Sequence, residues 1–64
     1  MSQRESNLLW LRDLLEHLQA SQQQLEWTDD AEAIEVITET MLRDLASCRR
    51  LCEVLRRRAA LQYA

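Results

Sequence analysis

Residues 33–59 read AIEVITETMLRDLASCRRLCEVLRRRA, and how this stretch is read decides the fold. Within it Ile34, Ile37, Met41, Leu45, Cys48, Cys52, Leu55 and Ala59 recur at steps of three and four residues. At about 100° of rotation per residue these positions share one narrow stripe of an α-helix. An amphipathic helix cannot bury such a stripe against itself, so the preceding segment is expected to cover it. A second, partly apolar row (Ala33, Val36, Thr40, Ser47, Leu51 and Val54) widens the face. The outer side carries Glu39 and Arg43, then Glu53 and Arg57, each pair in the favourable i, i+4 order worth about 0.2–0.5 kcal/mol. Ile34 repeats as Leu45, and Ile37 as Cys48 and Ala59. That 11-residue period favours straight or slightly right-handed packing over a heptad coil.

Working outward, the 64-residue chain is one domain at most. At this size only about 60% of the unfolded chain's surface is hidden on folding, and such domains often lean on disulfides, metals or a second chain. Two cysteines make no disulfide scaffold. The absence of Gly and Pro removes the usual punctuation of strands and tight turns, while Leu, Ala, Glu, Gln and Arg favour helix. The expected class is all-α. Met1 to Asn7 is polar and shows no secretory pattern, and no apolar run approaches the ~18 residues of a membrane span. The expectation is a soluble cytoplasmic protein with reduced thiols.

Ser2, with Glu5 three residues on, reads as a capping box opening a first helix. Its apolar arc holds Leu8, Leu11, Leu14, Leu15, Leu18 and Leu25, with Trp10 and His17 on one flank. The credible break is Trp27-Thr28-Asp29-Asp30, where Thr28 or Asp29 can cap a new helix and Glu32 completes a capping-box spacing with Asp29. The alternative is one continuous helix, since neither Gly nor Pro compels a turn here. The single domain therefore spans 1–64, with helix 1 over about 3–26, a turn over about 27–29 and helix 2 over about 30–61.

Folded back about Thr28, the first helix reaches ~36 Å and the second ~48 Å at about 1.5 Å per residue. The last two or three turns of helix 2 are then expected to project beyond helix 1. The apolar face is also wider than one neighbouring helix can cover. Pairing of two antiparallel hairpins into a four-helix bundle solves both problems. The expected dimer core comprises Leu8, Leu11, Leu15 and Leu18 of helix 1, with Ile34, Ile37, Met41, Leu45, Cys48 and Cys52 of helix 2. A bundle completed by a different protein, or a monomer, are the alternatives.

Cys48 and Cys52 share a helix face, and a dimer would gather four thiols for tetrahedral zinc. Both fall on the apolar stripe without a CxxC knuckle or a second Cys/His pair, so buried small hydrophobes is the better reading. His17 is expected level with Thr40, out of reach of Cys48. Its carboxylate neighbours in sequence are Asp13 and Glu16. No nucleophile–base set, glycine-rich phosphate loop or Glu-x-x-His unit appears, so neither an enzyme nor a cofactor is expected.

The net charge of −3 hides an asymmetry. Residues 1–32 carry two arginines against seven acids, and residues 33–64 six arginines against four acids. Arg49-Arg50 and Arg56-Arg57-Arg58, with Leu55, Leu61 and Tyr63, form the candidate partner-binding set, suited to an acidic or helical protein. In length and helix count a dimer of such hairpins resembles the plasmid RNA-binding regulator Rop, in architecture and not in sequence motif. That resemblance implies RNA as a ligand for the arginine-rich half of helix 2 and carries over no contact residue. Overall acidity, Glu53 among the arginines and the lack of interleaved aromatics oppose it. The sequence therefore favours an adaptor, regulator or small chaperone-like subunit, with no membrane partner.

Overall fold

The computed structural model describes residues 2–63; the side chain of Tyr63, in the expected partner-binding set, lies outside the described residues. Two helices, α1 (Gln3–Glu26) and α2 (Ala31–Tyr63), pack against each other as an antiparallel hairpin. Its extents are 49 × 18 × 13 Å. The long dimension is that of α2 itself, since 33 residues rise about 1.5 Å each.

Both helix starts are set by side-chain oxygens. Ser2 Oγ accepts from the Glu5 amide at 3.1 Å, while Glu5 places negative charge in the first turn. At α2 the cap is Asp30, one or two residues later than the sequence suggested: its Oδ2 accepts from the Ala33 amide at 3.4 Å, and its carbonyl receives the Ile34 amide at 3.0 Å. The connection is closed by the Trp27 amide on the Gln24 carbonyl at 3.2 Å and by the Thr28 hydroxyl donating to the same carbonyl at 2.6 Å. No described residue has positive φ. The reversal is thus made by ordinary backbone and side-chain hydrogen bonds, without the left-handed residue that glycine would supply.

The contact seam follows a seven-residue repeat. On α1 it runs through Asn7, Leu11, Leu14, Leu18, Ser21 and Leu25, and Thr28 of the connection continues it, each buried or half-buried. On α2 it runs through Ile37, Met41, Asp44, Cys48, Leu51 and Leu55, likewise shielded, with Ile34 continuing the row where α1 ends. Steps of three and four in strict alternation are the heptad geometry of antiparallel helix pairs. The 11-residue stripe read from the sequence differs from this row at two places within the seam, and its last member, Ala59, is exposed. Leu51 is buried at 6% exposure where Cys52 was expected inside, and Asp44 is half-buried where Leu45, 50% exposed, was expected. In each case the seam takes the residue one position earlier, about 100° around the helix, because a strict heptad drifts from an 11-residue stripe.

The register also differs. His17 stands opposite Asp44, one helical turn beyond Thr40. The turn is centred later than Thr28, because the connection extends through Asp30 and α2 starts at Ala31. Consequently the helices finish nearly level. Ser2 and Arg4 line one surface hollow together with Arg58, Leu61 and Gln62. The expected two- or three-turn projection of α2 is therefore absent from the hairpin.

Candidate interaction surface

The seam leaves much of the apolar surface uncovered. Its buried apolar residues are Cys48 and Leu51, while the buried residues of α1 are the polar Asn7 and Ser21. Asn7 accepts a hydrogen bond from Gln3 Nε2 at 3.3 Å, and no described buried side-chain polar atom is left without a partner. Small or satisfied polar side chains permit close approach of the helices at a modest desolvation cost, but they contribute little apolar burial.

The displaced leucines gather on one broad side. Leu8 and Leu15 stand seven residues apart on α1, and Leu45, Cys52 and Ala59 stand at the same interval on α2. Leu8 lines one hollow with Leu55 and Ala59, so the two rows flank the same side of the seam. Leu15 is 54% exposed and Leu45 50%. On the opposite side Trp10, itself exposed, lines a second hollow with Gln3, Asn7, Ser47, Arg50, Leu51 and Val54, whose surface is also mainly apolar. The chain exposes 5359 Å², against about 4,300 Å² expected for a folded monomer of 7.6 kDa. The excess of roughly 1,000 Å² is of the order that one partner buries in a standard interface, about 800 Å².

The expected dimer-core residues thus divide. Leu11, Leu18, Ile37, Met41 and Cys48 lie in the seam, Ile34 lies at its turn end, and Leu8, Leu15, Leu45 and Cys52 lie on the broad apolar side. Of the partner-binding set, Leu55 is half-buried beside Arg4 and Leu8, whereas Leu61 is exposed. All five arginines of that set are exposed. Arg49 pairs with Glu53 at 3.2 Å and Arg50 donates to Ser47 Oγ at 3.0 Å. Glu53 therefore faces Arg49 and not the expected Arg57, while the expected Glu39–Arg43 pair forms at 3.3 Å. Exposed pairs of this kind orient side chains and add little stability.

Cys48 is buried and Cys52 exposed, so only one of the two behaves as the buried small hydrophobe expected. Burial pushes the Cys48 thiol above its ordinary range, with Cys52 and Asp44 adding in the same direction. Among the described residues no three His, Cys, Asp or Glu side chains converge as a metal site. His17 Nδ1 bonds to Asp44 Oδ2, a contact that the sequence-based register did not anticipate.

Folding also rearranges the charge. The turn half, residues 16–45, carries Glu16, Glu26, Asp29, Asp30, Glu32, Glu35, Glu39 and Asp44 against Arg43, a net of −7. The open half carries Glu5, Asp13 and Glu53 against Arg4, Arg12, Arg49, Arg50 and Arg56 to Arg58, a net of +4. The hairpin is therefore a rod with one acidic and one basic end. Among the described residues no helix is long and apolar enough to cross a membrane. Comparison of the chain with protein-family models, with curated proteins and with solved structures returns no significant match.

Proposed function

We propose that this chain is a non-catalytic protein–protein interaction module that works as a homodimeric helical bundle, in the role of a cytoplasmic adaptor, regulator or small chaperone-like subunit. One observation carries the reading: the hairpin buries Cys48 and Leu51 while leaving Leu8, Leu15 and Leu45 as a coherent exposed side. So small an apolar core does not offset the conformational entropy of ordering some sixty residues, and a second apolar surface supplies what is missing. The arginine-rich end, with Leu61 exposed beside Arg58, is the surface left for an acidic or helical protein partner once the leucine side is covered.

Sedimentation equilibrium tests the assembly. The expected particle has twice the 7.6 kDa of one chain, and the double variant Leu15→Glu/Leu45→Glu is expected to lose that assembly. A wild-type particle of one chain's mass at about 100 μM, where interfaces of standard size are normally populated, would sink the proposal.

The convergence of Arg4, Arg12, Arg49, Arg50 and Arg56 to Arg58 in one half favours a second reading, an RNA-binding regulator. Opposing it is the turn half's net charge of −7 on the same rod. Retention on RNA that falls steeply between ~50 and ~200 mM salt would support this reading, and elution without a salt slope would end it.

A further inference from the structure

We infer that the occupant of the leucine side is a second copy of this chain in one particular orientation, stacked broad side to broad side with the acidic turn end of each hairpin over the basic open end of the other. The inference rests on the two-chain reading above and adds the direction of pairing.

One observation fixes that direction and a second accords with it. The first is the charge along the rod, −7 over the turn half and +4 over the open half. Hairpins stacked with turns together would set seven net negative charges against seven across one inter-helix spacing of about 8–10 Å, close to the screening length of physiological salt. With turns opposed, Asp29, Asp30 and Glu32 instead approach the partner's Arg56 to Arg58, and unlike ends face each other along the whole contact. The second is the position of the two leucines most exposed on the leucine side. Leu15 and Leu45 lie near the midpoint of the rod, because His17 stands opposite Asp44 and the helices finish nearly level. A two-fold axis crossing the rod at that level brings each of them against its own symmetry mate, where an isologous interface concentrates its apolar contacts.

A spin label at the turn reads the orientation directly. Asp29→Cys is made in a Cys48→Ala/Cys52→Ser background, and Glu32→Cys serves as an independent second site on α2. Sedimentation first establishes the mass of the labelled protein. A two-chain particle with labels separated by about 45 Å, nearly the rod's length at about 1.5 Å per residue, supports the inference. A two-chain particle with labels within about 25 Å places the turns together and overturns the orientation, leaving the two-chain reading intact. A one-chain or larger particle overturns both.

Discussion

His17 and Asp44 meet across the middle of the hairpin, Nδ1 to Oδ2, with the carboxylate in the heptad seam and the imidazole on its half-exposed flank. Asp44 occupies a position that an antiparallel helix pair ordinarily fills with an apolar side chain, and its side chain is only 15% exposed. Replacing it with an apolar residue of suitable size removes a desolvated carboxylate and adds buried area. Asp44→Leu is expected to stabilise by about 1 kcal/mol, raising the thermal midpoint by roughly 4–8 °C for a domain of this size. Circular dichroism melting checks this, and a lowered midpoint would show that the pair with His17 stabilises more than the leucine does.

Folding and association are expected to be one event. A hairpin whose buried apolar residues are Cys48 and Leu51 is expected to draw much of its stability from the proposed second copy, so its melting midpoint should depend on protein concentration. A hundredfold dilution should lower the midpoint by several degrees, since mass action weakens the assembly by about 2.7 kcal/mol over that range. A midpoint independent of concentration would mean that one chain is self-sufficient.

Leu51 and Leu42 separate the seam from the surface on one helix. Leu51→Ala opens a gap opposite α1 and should cost about 2–4 kcal/mol, while Leu42→Ala, on the exposed side, should stay within about 0.5 kcal/mol. Denaturant unfolding of the two variants gives the comparison. Equal losses would contradict the heptad seam.

The two thiols should react at different rates. Cys52 is exposed, whereas Cys48 is shielded and its thiol is pushed up by burial, so a thiol reagent at pH 8 is expected to modify one cysteine quickly and the second only as the protein opens. The raised Cys48 value also fixes the sign of its pH effect. The folded state holds the neutral thiol more strongly than the unfolded state does, so the contribution is complete below the ordinary cysteine range near ~8.5 and is lost as pH rises through the folded-state value. Cys48→Ala should flatten that alkaline loss, and an unchanged alkaline profile would assign it to other groups.

The sequence carried the two helices, the cap at Ser2 and the break near Thr28 because each depends on local chemistry: spacing, a hydroxyl at the right offset, and a run of acids where a helix starts. It did not distinguish Asp44 and Leu51 from Leu45 and Cys52 as seam residues. Apolar periodicity sums over every neighbour that a helix has, and α2 divides its apolar side between α1 and the exposed leucine side. The stripe therefore points between the two, and a carboxylate is the last residue that hydrophobicity would place facing α1. Asn7 and Ser21 were invisible for the same reason, since close helix approach selects small or satisfied side chains that no apolar pattern marks. The register error had another source. A connection without glycine offers no fixed centre, and moving the reversal from Thr28 to Asp30 shifts every facing pair along α2 by about one turn.

That same connection leaves the molecule a second topology. Because Trp27 to Asp30 keep negative φ throughout, straightening them into a single uninterrupted rod needs only rotation between the extended and helical basins open to every residue, with no left-handed position to undo. What opposes straightening is the Asp30 carboxylate on the Ala33 amide, the Thr28 hydroxyl on the Gln24 carbonyl, and the seam itself. With Thr28→Ala/Asp30→Ala the first two are gone, and opened chains can exchange arms, each α1 docking on a neighbour's α2 through the contacts it formerly made at home. Small-angle scattering should then find a particle nearly twice as long as the 49 Å hairpin, and an unaltered length would show that seam packing alone keeps the joint bent.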